Sequence, residues 1–467
     1  MDSFDVIVIG SGPGGYVSAI RCAQLGLKVA IVEKYSKLGG TCLNVGCIPS
    51  KALLESSEHF FKSNHEFSDH GILIENIKMN LLQTMKRKEK IVSEMHQGLD
   101  FLMKKNKITV FNGHGSFVDP KTIKIQGEKD EKHINVKNII IATGSKPTTL
   151  PFLNMDKKRI ITSTEILSLK EIPKNLIVIG AGVIGLELGS VYARMGTEVT
   201  VIDVADKVLS TMDSSLGKEL KKVLSRDLGF NFLMNHSVEK VSNLGKKVEL
   251  IAKSSNGKSI KLSSDYCLIA IGRSPYTTNL NLDSIDVNTH PTGQIKVNEL
   301  LQTSCSNVYA IGDVVLGSML AHKAEEEGVF VAEIIGGQKP ELNHNTIPNV
   351  VYTWPEVASV GASEDELKKL GRDFKIGNFP FKANGRAKIS NDNDGFIKVI
   401  ADKKTDEILG VHMIGPRCAD LISEAVLAME YRATAEDVAI ITHAHPTFSE
   451  VMKEACLSAT SNRALHI

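Results

Sequence analysis

Asp5-Val6-Ile7-Val8-Ile9-Gly10-Ser11-Gly12-Pro13-Gly14-Gly15, residues 5–15 of a 467-residue chain, decides how the first part of the molecule is read. Residues 5–9 form a short apolar run suited to a buried parallel strand. A G-x-G-x-x-G turn follows at Gly10, Gly12 and Gly15. Tyr16 to Leu25 then read as a helix and Lys28 to Glu33 as a second strand, giving a βαβ start. In such a turn the first glycine permits the tight bend, the second admits a pyrophosphate, and the third lets the helix pack closely on the strand. Glu33, at the end of the second strand, can accept hydrogen bonds from a ribose hydroxyl pair. The glycine triplet says little alone; the strand, helix and terminal acid around it give it weight.

The same device recurs. Asn175 to Ile179 leads into Gly180, Gly182 and Gly185, a helix reads through Met195, and a strand from Glu198 to Ile202 ends at Asp203. Glu33 lies 23 positions after Gly10, and Asp203 lies 23 positions after Gly180. Equal spacing argues for two separate dinucleotide sites over one true site and a degenerate copy. An acid at Asp203 favours a free ribose 2′-hydroxyl and repels a 2′-phosphate. Val204-Ala205-Asp206 offers no arginine to hold that phosphate, so NAD is preferred over NADP. The apolar runs Asn138–Ser145 and Cys267–Arg273 suit buried strands ending at Gly144 and Gly272 near a cofactor, or plain strand-end turns. Another strand delivers Gly312-Asp313 to its carboxyl end, where parallel sheets bind ligands.

Cys42 and Cys47 sit five positions apart in Gly39-Gly40-Thr41-Cys42-Leu43-Asn44-Val45-Gly46-Cys47-Ile48-Pro49-Ser50-Lys51. A disulfide here would close too small a loop to add much stability. A redox pair is the better reading: one thiolate attacks a disulfide and the other resolves it. Pro49 suits the first turn of a helix running through Leu54. A helix start offers unpaired N–H groups and partial positive charge, which favours Cys47 as the stabilised thiolate. Two unreacting buried cysteines are the alternative. Near the far end, His443-Ala444-His445-Pro446-Thr447-Phe448-Ser449-Glu450 offers His445 as a base near neutral pH, with Glu450 folded back to orient it. Surface or core histidines, or zinc ligands lacking a nearby partner, are the competing readings.

The formal net charge of +1 gives no case for nucleic-acid or membrane-surface binding. Seven cysteines in so long a chain do not form a secreted disulfide framework, and the absence of a second close pair argues against a metal site. No run of about 18 apolar residues exists, so no membrane span is expected. The start Met-Asp-Ser-Phe-Asp lacks a targeting peptide's basic residues. A cytoplasmic location is expected, with a processed organelle protein left open. Met79 to Lys107 reads as an amphipathic helix with Leu82, Met85, Val92, Met95, Leu99 and Leu102 on one face. Antiparallel strands follow to Val136. Residues 350–415 alternate like strands with turns at Asn384-Gly385 and Asp394-Gly395, and helices follow over Ala419–Glu430 and Ser449–Thr460.

Together these features resemble the pyridine nucleotide–disulfide oxidoreductases over essentially the whole chain. The stretch 39–51, Tyr309-Ala310-Ile311-Gly312-Asp313, Met319-Leu320-Ala321-His322-Lys323-Ala324 and His443-Ala444-His445-Pro446-Thr447 carry the resemblance. It implies an α/β chain with two Rossmann-like dinucleotide-binding domains plus a C-terminal α+β dimerisation domain. FAD would take residues 1–147 and, centrally, 276–345; NAD would take 148–275; residues 346–467 would form the subunit interface. It further implies a homodimer in which His445 and Glu450 reach the other subunit's cysteine pair, and a cis His445–Pro446 bond. In the oxidised form Cys42 and Cys47 would be a disulfide, Cys42 facing substrate and Cys47 the flavin. Lys51 and Glu187 would pair beside the flavin's reactive nitrogen. Gly115, Thr143, Gly144, Ser145, Asp313, Met319, Leu320, Ala321 and His322 would contact FAD, and Val238 and Gly272 would join the NAD site.

Within the family the residues are most similar to members that oxidise protein-bound dihydrolipoyl groups with NAD⁺. Such members serve lipoyl-domain-bearing subunits of 2-oxo acid dehydrogenase complexes or the glycine cleavage system. Glutathione-type members typically have Lys where Ser50 stands and basic residues absent after Asp203. Mercuric and high-molecular-weight thioredoxin reductases carry a C-terminal cysteine pair, whereas Cys456 stands alone. A non-catalytic FAD-binding complex subunit is the reading from another class, and intact Cys42, Cys47, His445 and Glu450 argue against it. Arg432 stands where related sequences often have glycine, which puts the local turn or interface in question.

Overall fold

The strand Ser3–Ile9 is paired in parallel on both sides, with Val29–Glu33 and with the long strand Glu131–Ile141. Residues 6–9 and 29–32 are buried throughout, as their uninterrupted apolar character requires in a sheet covered on both faces, and the carboxylate of Glu33 is buried at the strand end. Thr109–Asn112 extends this sheet beside Val29–Glu33, and Val308–Ala310 pairs in parallel with the end of Glu131–Ile141. The other edge is antiparallel, through Thr122–Gln126 and His114–Asp119. Helices Pro13–Gln24 and Ala321–Ile335 pack against each other. A computed structural model describes residues 3–466, which fall into two units. The first holds the chain up to Ala52, Leu82–Thr148 and Gly272–Leu342; the second holds Leu53–Leu81, Thr149–Ile271 and the chain from Asn343 onward.

The second unit repeats the parallel sheet, in the order Asn231–Leu233, Glu198–Ile202, Asn175–Ile179, Tyr266–Ile269, Ile160–Ile161. A three-stranded antiparallel meander, His236–Asn243, Val248–Ser254 and Ser259–Ser264, is also part of this unit. So is a five-stranded antiparallel sheet formed by Asn349–Val351, Glu356–Gly361, Ile408–Gly415, Phe396–Asp402 and Phe374–Pro380. Helices Cys418–Glu430 and Glu450–Ser461 pack on it, around Phe379, Phe381, Val399, Met413 and Cys456.

Several expectations change in detail. The helix Leu81–Lys105 forms, but Leu82 is 67 % and Met95 49 % exposed. The covered seam runs Met85, Lys88, Val92, His96, Leu99, Met103, at three-and-four spacing, and includes two polar residues that an apolar pattern passes over. Asn384 does not turn a hairpin. Its side chain accepts from the N–H of Ala387 at 3.0 Å and caps the short helix Gly385–Ile389. The helix Ala435–Ile440, capped reciprocally by Thr434 and Asp437, was not anticipated. Arg432 adopts φ +53° just beyond the helix Cys418–Glu430, in the left-handed region that glycine favours after a helix end. It is held there by a two-pronged ion pair with Glu407, at 3.0 and 3.1 Å.

Candidate active site

Both glycine turns are built alike. Gly10 has φ +101° and Gly180 φ +110°. A Cβ on Gly10 would stand 2.4 Å from the Ala142 carbonyl oxygen, and one on Gly180 2.3 Å from that of Ala270, so only glycine fits either strand end. A Cβ on Gly15 or Gly185 would strike the carbonyl oxygen of Gly10 or Gly180, at 2.0 and 2.3 Å. Each turn is then tied to its acid. Glu33 accepts from the Ser11 N–H at 3.0 Å and the Tyr35 N–H at 3.0 Å. Asp203 accepts from the Ala181 N–H at 2.6 Å and the Ala205 N–H at 2.8 Å. Gly12 and Gly182 cap 12-residue helices whose first-turn N–H groups are directed outward. Donors for phosphate, an acid with remaining lone pairs for ribose and space beside the second glycine together fit a dinucleotide at each turn.

Both turns receive a backbone N–H from a later segment, Gly39 on Ser11 and Leu209 on Ala181 at 3.1 Å, but among the described residues the second glycine is approached only at the first turn. The Gly39 N–H bonds to the Ser11 carbonyl at 2.9 Å and to its hydroxyl at 3.2 Å. A Cβ on Gly40 would lie 2.6 Å from the Gly12 Cα. This contact sets the cysteine segment onto the turn. Cys42 lies in the short helix Gly40–Val45, and Cys47 opens the helix Cys47–His65, two residues earlier than Pro49 suggested. Gly46 separates the helices. The two cysteines form a hydrogen-bonded pair of thiols. That bond, then burial, holds the Cys42 thiol well above its ordinary range, and the Lys51 ammonium opposes the rise. Burial and the Glu325 carboxylate, with a smaller push from both cysteines, also raise Tyr16, whose hydroxyl donates to Glu325 at 3.2 Å.

Other residues of the first unit converge on Asp313. Ser145 Oγ donates to Asp313 Oδ2 and accepts from Arg273 Nε at 2.7 Å. Burial lowers the Arg273 guanidinium, and Asp313 is the main counterweight. Thr143 Oγ1 donates to the Tyr276 carbonyl at 2.6 Å. Gly144 has φ +70° with open space where a Cβ would be. Gly115 is buried against Ile9 and Val32. Met319 and Leu320 precede the helix that Ala321 and His322 open. In the second unit, Gly272's neighbour Ile271 ends the segment after Tyr266–Ile269, and Val238 lies at a bulge in His236–Asn243. Gly272 itself has φ +108° with nothing within 4 Å of a Cβ. Glu187 is buried, accepting from the Tyr352 N–H at 2.9 Å.

His445 follows the helix Ala435–Ile440 in the second unit, with its side chain 76 % exposed. Its Nδ1 meets Glu450 Oε1 at 2.8 Å, and Glu450 Oε2 accepts from the Thr447 N–H at 2.8 Å. Burial pushes the Glu450 carboxyl up, but Thr447 and His445 outweigh it and leave it below its ordinary range. The His445–Pro446 bond is cis, as is Trp354–Pro355. His443 has its own carboxylate, Glu424 at 2.8 Å, whose hydrogen bond raises the imidazole. Among the described residues, no cluster of three or more His, Cys, Asp or Glu side chains is arranged to hold a metal.

Residues 4–328 match the family described as pyridine nucleotide-disulphide oxidoreductase, and residues 347–456 match its dimerisation domain. The chain belongs to the pyridine nucleotide-disulphide oxidoreductases. Curated relatives include the mitochondrial dihydrolipoyl dehydrogenase of Pisum sativum, 47 % identical over 100 % of this chain and 93 % of the relative. The dihydrolipoyl dehydrogenase of Trypanosoma brucei brucei is 48 % identical over 97 % of this chain and 96 % of its own length. Among solved structures, the HOCl-induced flavoprotein disulfide reductase RclA of Escherichia coli superposes with TM-score 0.87 at 25 % identity, covering 98 % and 99 % of the chains. LpdA of Mycobacterium tuberculosis, at TM-score 0.89, 23 % identity and the same coverage, shares the fold.

For this oxidoreductase, sequence reasoning missed the residues that close the first site. Ser11 occupies an unspecified position of the glycine motif. Arg273 and Tyr276 lie more than a hundred residues from their partners Ser145 and Thr143. Asn44, next to the cysteine pair in the chain, is met by His96 at 2.9 Å from the helix Leu81–Lys105. Only the neighbouring glycines hinted that Ser11 is buried.

Proposed function

We propose that this chain is a dihydrolipoyl dehydrogenase, oxidising protein-bound dihydrolipoamide to lipoamide through the Cys42–Cys47 disulfide, with FAD and NAD⁺ as cofactors. The observation that carries the reading is the cysteine-bearing segment laid on the first glycine turn through Gly39 and Gly40, in a chain 47–48 % identical to enzymes of that name. His445 takes a proton from one dihydrolipoyl thiol, and that thiolate attacks Cys42. The Cys42–Cys47 bond breaks and Cys47 leaves as a thiolate. The second substrate thiol attacks the sulfur bonded to Cys42, closes the cyclic disulfide and expels Cys42; His445 hands its proton to the leaving Cys42 and takes up the proton of the second thiol. A strongly raised Cys42 favours this division, with the proton on Cys42 and the negative charge on Cys47. Glu450 orients His445 and balances its positive form. FAD, when bound, would supply the acceptor for the electron pair, and NAD⁺ the final hydride acceptor, each held by the residues named below.

In this reading residues 1–147 and 276–345 hold FAD, with Gly10, Gly12, Gly15, Glu33, Gly115, Thr143, Gly144, Ser145, Asp313 and 319–322 around it. Residues 148–275 hold NAD through Gly180, Gly182, Gly185, Asp203, Val238 and Gly272. Lys51 and Glu187 tune the flavin. Residues 346–467 join two copies, so that His445 and Glu450 serve the other subunit's cysteines; the exposure of His445 supports this. Lipoyl-domain subunits of 2-oxo acid dehydrogenase complexes or of the glycine cleavage system are the partners. No helix among the described residues is long and apolar enough to cross a membrane. Cytoplasmic residence is part of the proposal, and fractionation tests it, since curated relatives include mitochondrial forms.

Cys42→Ser should abolish lipoamide turnover while leaving a Cys47 thiolate beside FAD, seen as a long-wavelength absorption band at neutral pH. His445→Gln should slow the thiol half-reaction far more than reduction by NADH. Faster turnover of glutathione disulfide with NADPH than of dihydrolipoamide with NAD⁺ would falsify the assignment.

A further inference from the structure

Two charged side chains lie deep in the first unit, on a helix whose Ala324 and Gly328 pack against Gly14 of the first turn. Lys323 and Glu327, one turn apart on the helix Ala321–Ile335, form an ion pair at 2.7 Å with side chains 3 % and 1 % exposed. Burying an isolated pair is costly, and a well-packed apolar pair of similar volume often serves stability as well or better. Its retention calls for a role other than packing.

The role is visible at the second carboxylate oxygen. The strand Val308–Ala310 pairs with the end of Glu131–Ile141, and the Ile311 N–H still finds the Ile141 carbonyl at 3.0 Å. At Gly312 the ladder ends. The backbone turns to φ +73°, and the buried Gly312 N–H donates to Glu327 Oε2 at 2.7 Å. The next residue is Asp313, whose other tether is Ser145, itself held by Arg273. Lys323 balances the charge that the Glu327 carboxylate brings into this interior. A carboxylate makes a shorter and stronger bond to an N–H than a neutral oxygen does.

We propose that Lys323 and Glu327 are positioning residues for Asp313: the buried pair locks the Gly312 turn and so fixes the carboxylate that holds a hydroxyl of the flavin cofactor. The inference rests on the reading of Asp313 as a flavin contact. Glu327 touches no reacting atom in this scheme; it acts through Gly312 and Asp313.

The test is the rate at which FAD leaves the holoenzyme, followed by the fluorescence of released flavin, with thermal unfolding measured alongside. Glu327→Asp keeps the charge pair but withdraws the oxygen from Gly312 by one methylene, and should release FAD about tenfold faster. Lys323→Met/Glu327→Gln removes both charges together and keeps an oxygen for the Gly312 N–H. It should restore FAD release to within about twofold of wild type, whereas Lys323→Met/Glu327→Leu, equally neutral but with no oxygen for the Gly312 N–H, should release FAD as fast as Glu327→Asp; a purely structural pair would be rescued equally by both. Wild-type release from Glu327→Asp, release from Lys323→Met/Glu327→Gln as fast as from Glu327→Asp, or equal release from the two double variants overturns the inference. A wild-type protein that holds no flavin at all sinks the functional reading instead.

Discussion

At the first turn Glu33 gathers Ser11 and Tyr35; at the second Asp203 gathers Ala181 and Ala205, with the same atoms in the same order. The strand-to-turn bonds repeat too, Gly10 N–H to Val32 and Gly180 N–H to Ile202, both at 2.9 Å. The surroundings repeat only in part: the Leu209 N–H meets the Ala181 carbonyl at 3.1 Å as the Gly39 N–H meets that of Ser11 at 2.9 Å, and the likeness stops there. Glu33 is 5 % exposed and accepts a third bond, from the Ser11 hydroxyl at 2.6 Å, and the cysteine segment closes over Gly12. Asp203 is partly exposed, and nothing lies within 4 Å of a Cβ on Gly182. A covered turn suits a ligand that stays, and an open one suits a ligand that comes and goes.

The most damaging way to break this contrast is Gly40→Val. Its Cβ would press on Gly12, in a backbone with φ +58° that valine resists, and lift the cysteine segment off the first turn. FAD release should rise by about a hundredfold or more, with lipoamide turnover lost alongside, as free-flavin fluorescence would report. Glu33→Leu should come next. It orphans two buried donors of Ser11 and a partly buried one of Tyr35, and should cost about 3 kcal/mol, whereas Asp203→Leu orphans two partly buried donors and should cost about 1–2 kcal/mol. Equal shifts in thermal unfolding midpoint would erase the distinction between covered and open. Smallest is Gly182→Val, whose Cβ would enter open space. It should leave unfolding unchanged and flavin content intact while raising KM for NAD⁺ about tenfold; a large loss of stability there would mean the second turn is not open.

The repeated turns were legible because a glycine that must accept a neighbouring carbonyl against its Cα has no substitute, and because spacing to an acid is local. Cys42, Cys47, His445 and Glu450 were legible for a similar reason: few residue types do their chemistry. Ser11, Arg273, His96 and Glu327 were not. Each is an ordinary residue whose importance comes from a partner distant in sequence or from its burial. The seam of Leu81–Lys105 was misread because Lys88 and His96 occupy positions that an apolar pattern assigns to neighbours. At Asn384-Gly385 the sequence pair allows a hairpin turn or a helix cap, and the side-chain bond to Ala387 decides for the cap. Arg432, odd when read as a residue where glycine is usual, occupies a glycine-like backbone conformation with its side chain 78 % exposed and anchored to Glu407.

The outward stance of His445 has a consequence for genetics. If each folded chain carries the sulfurs of one reaction centre and the base of another, damage to the two can be traded between copies. Subunits bearing Cys42→Ser and subunits bearing His445→Gln would each be dead as pure dimers. Mixed in one cell, their heterodimers would pair the intact sulfurs of one with the intact base of the other, restoring one working centre per dimer by complementation.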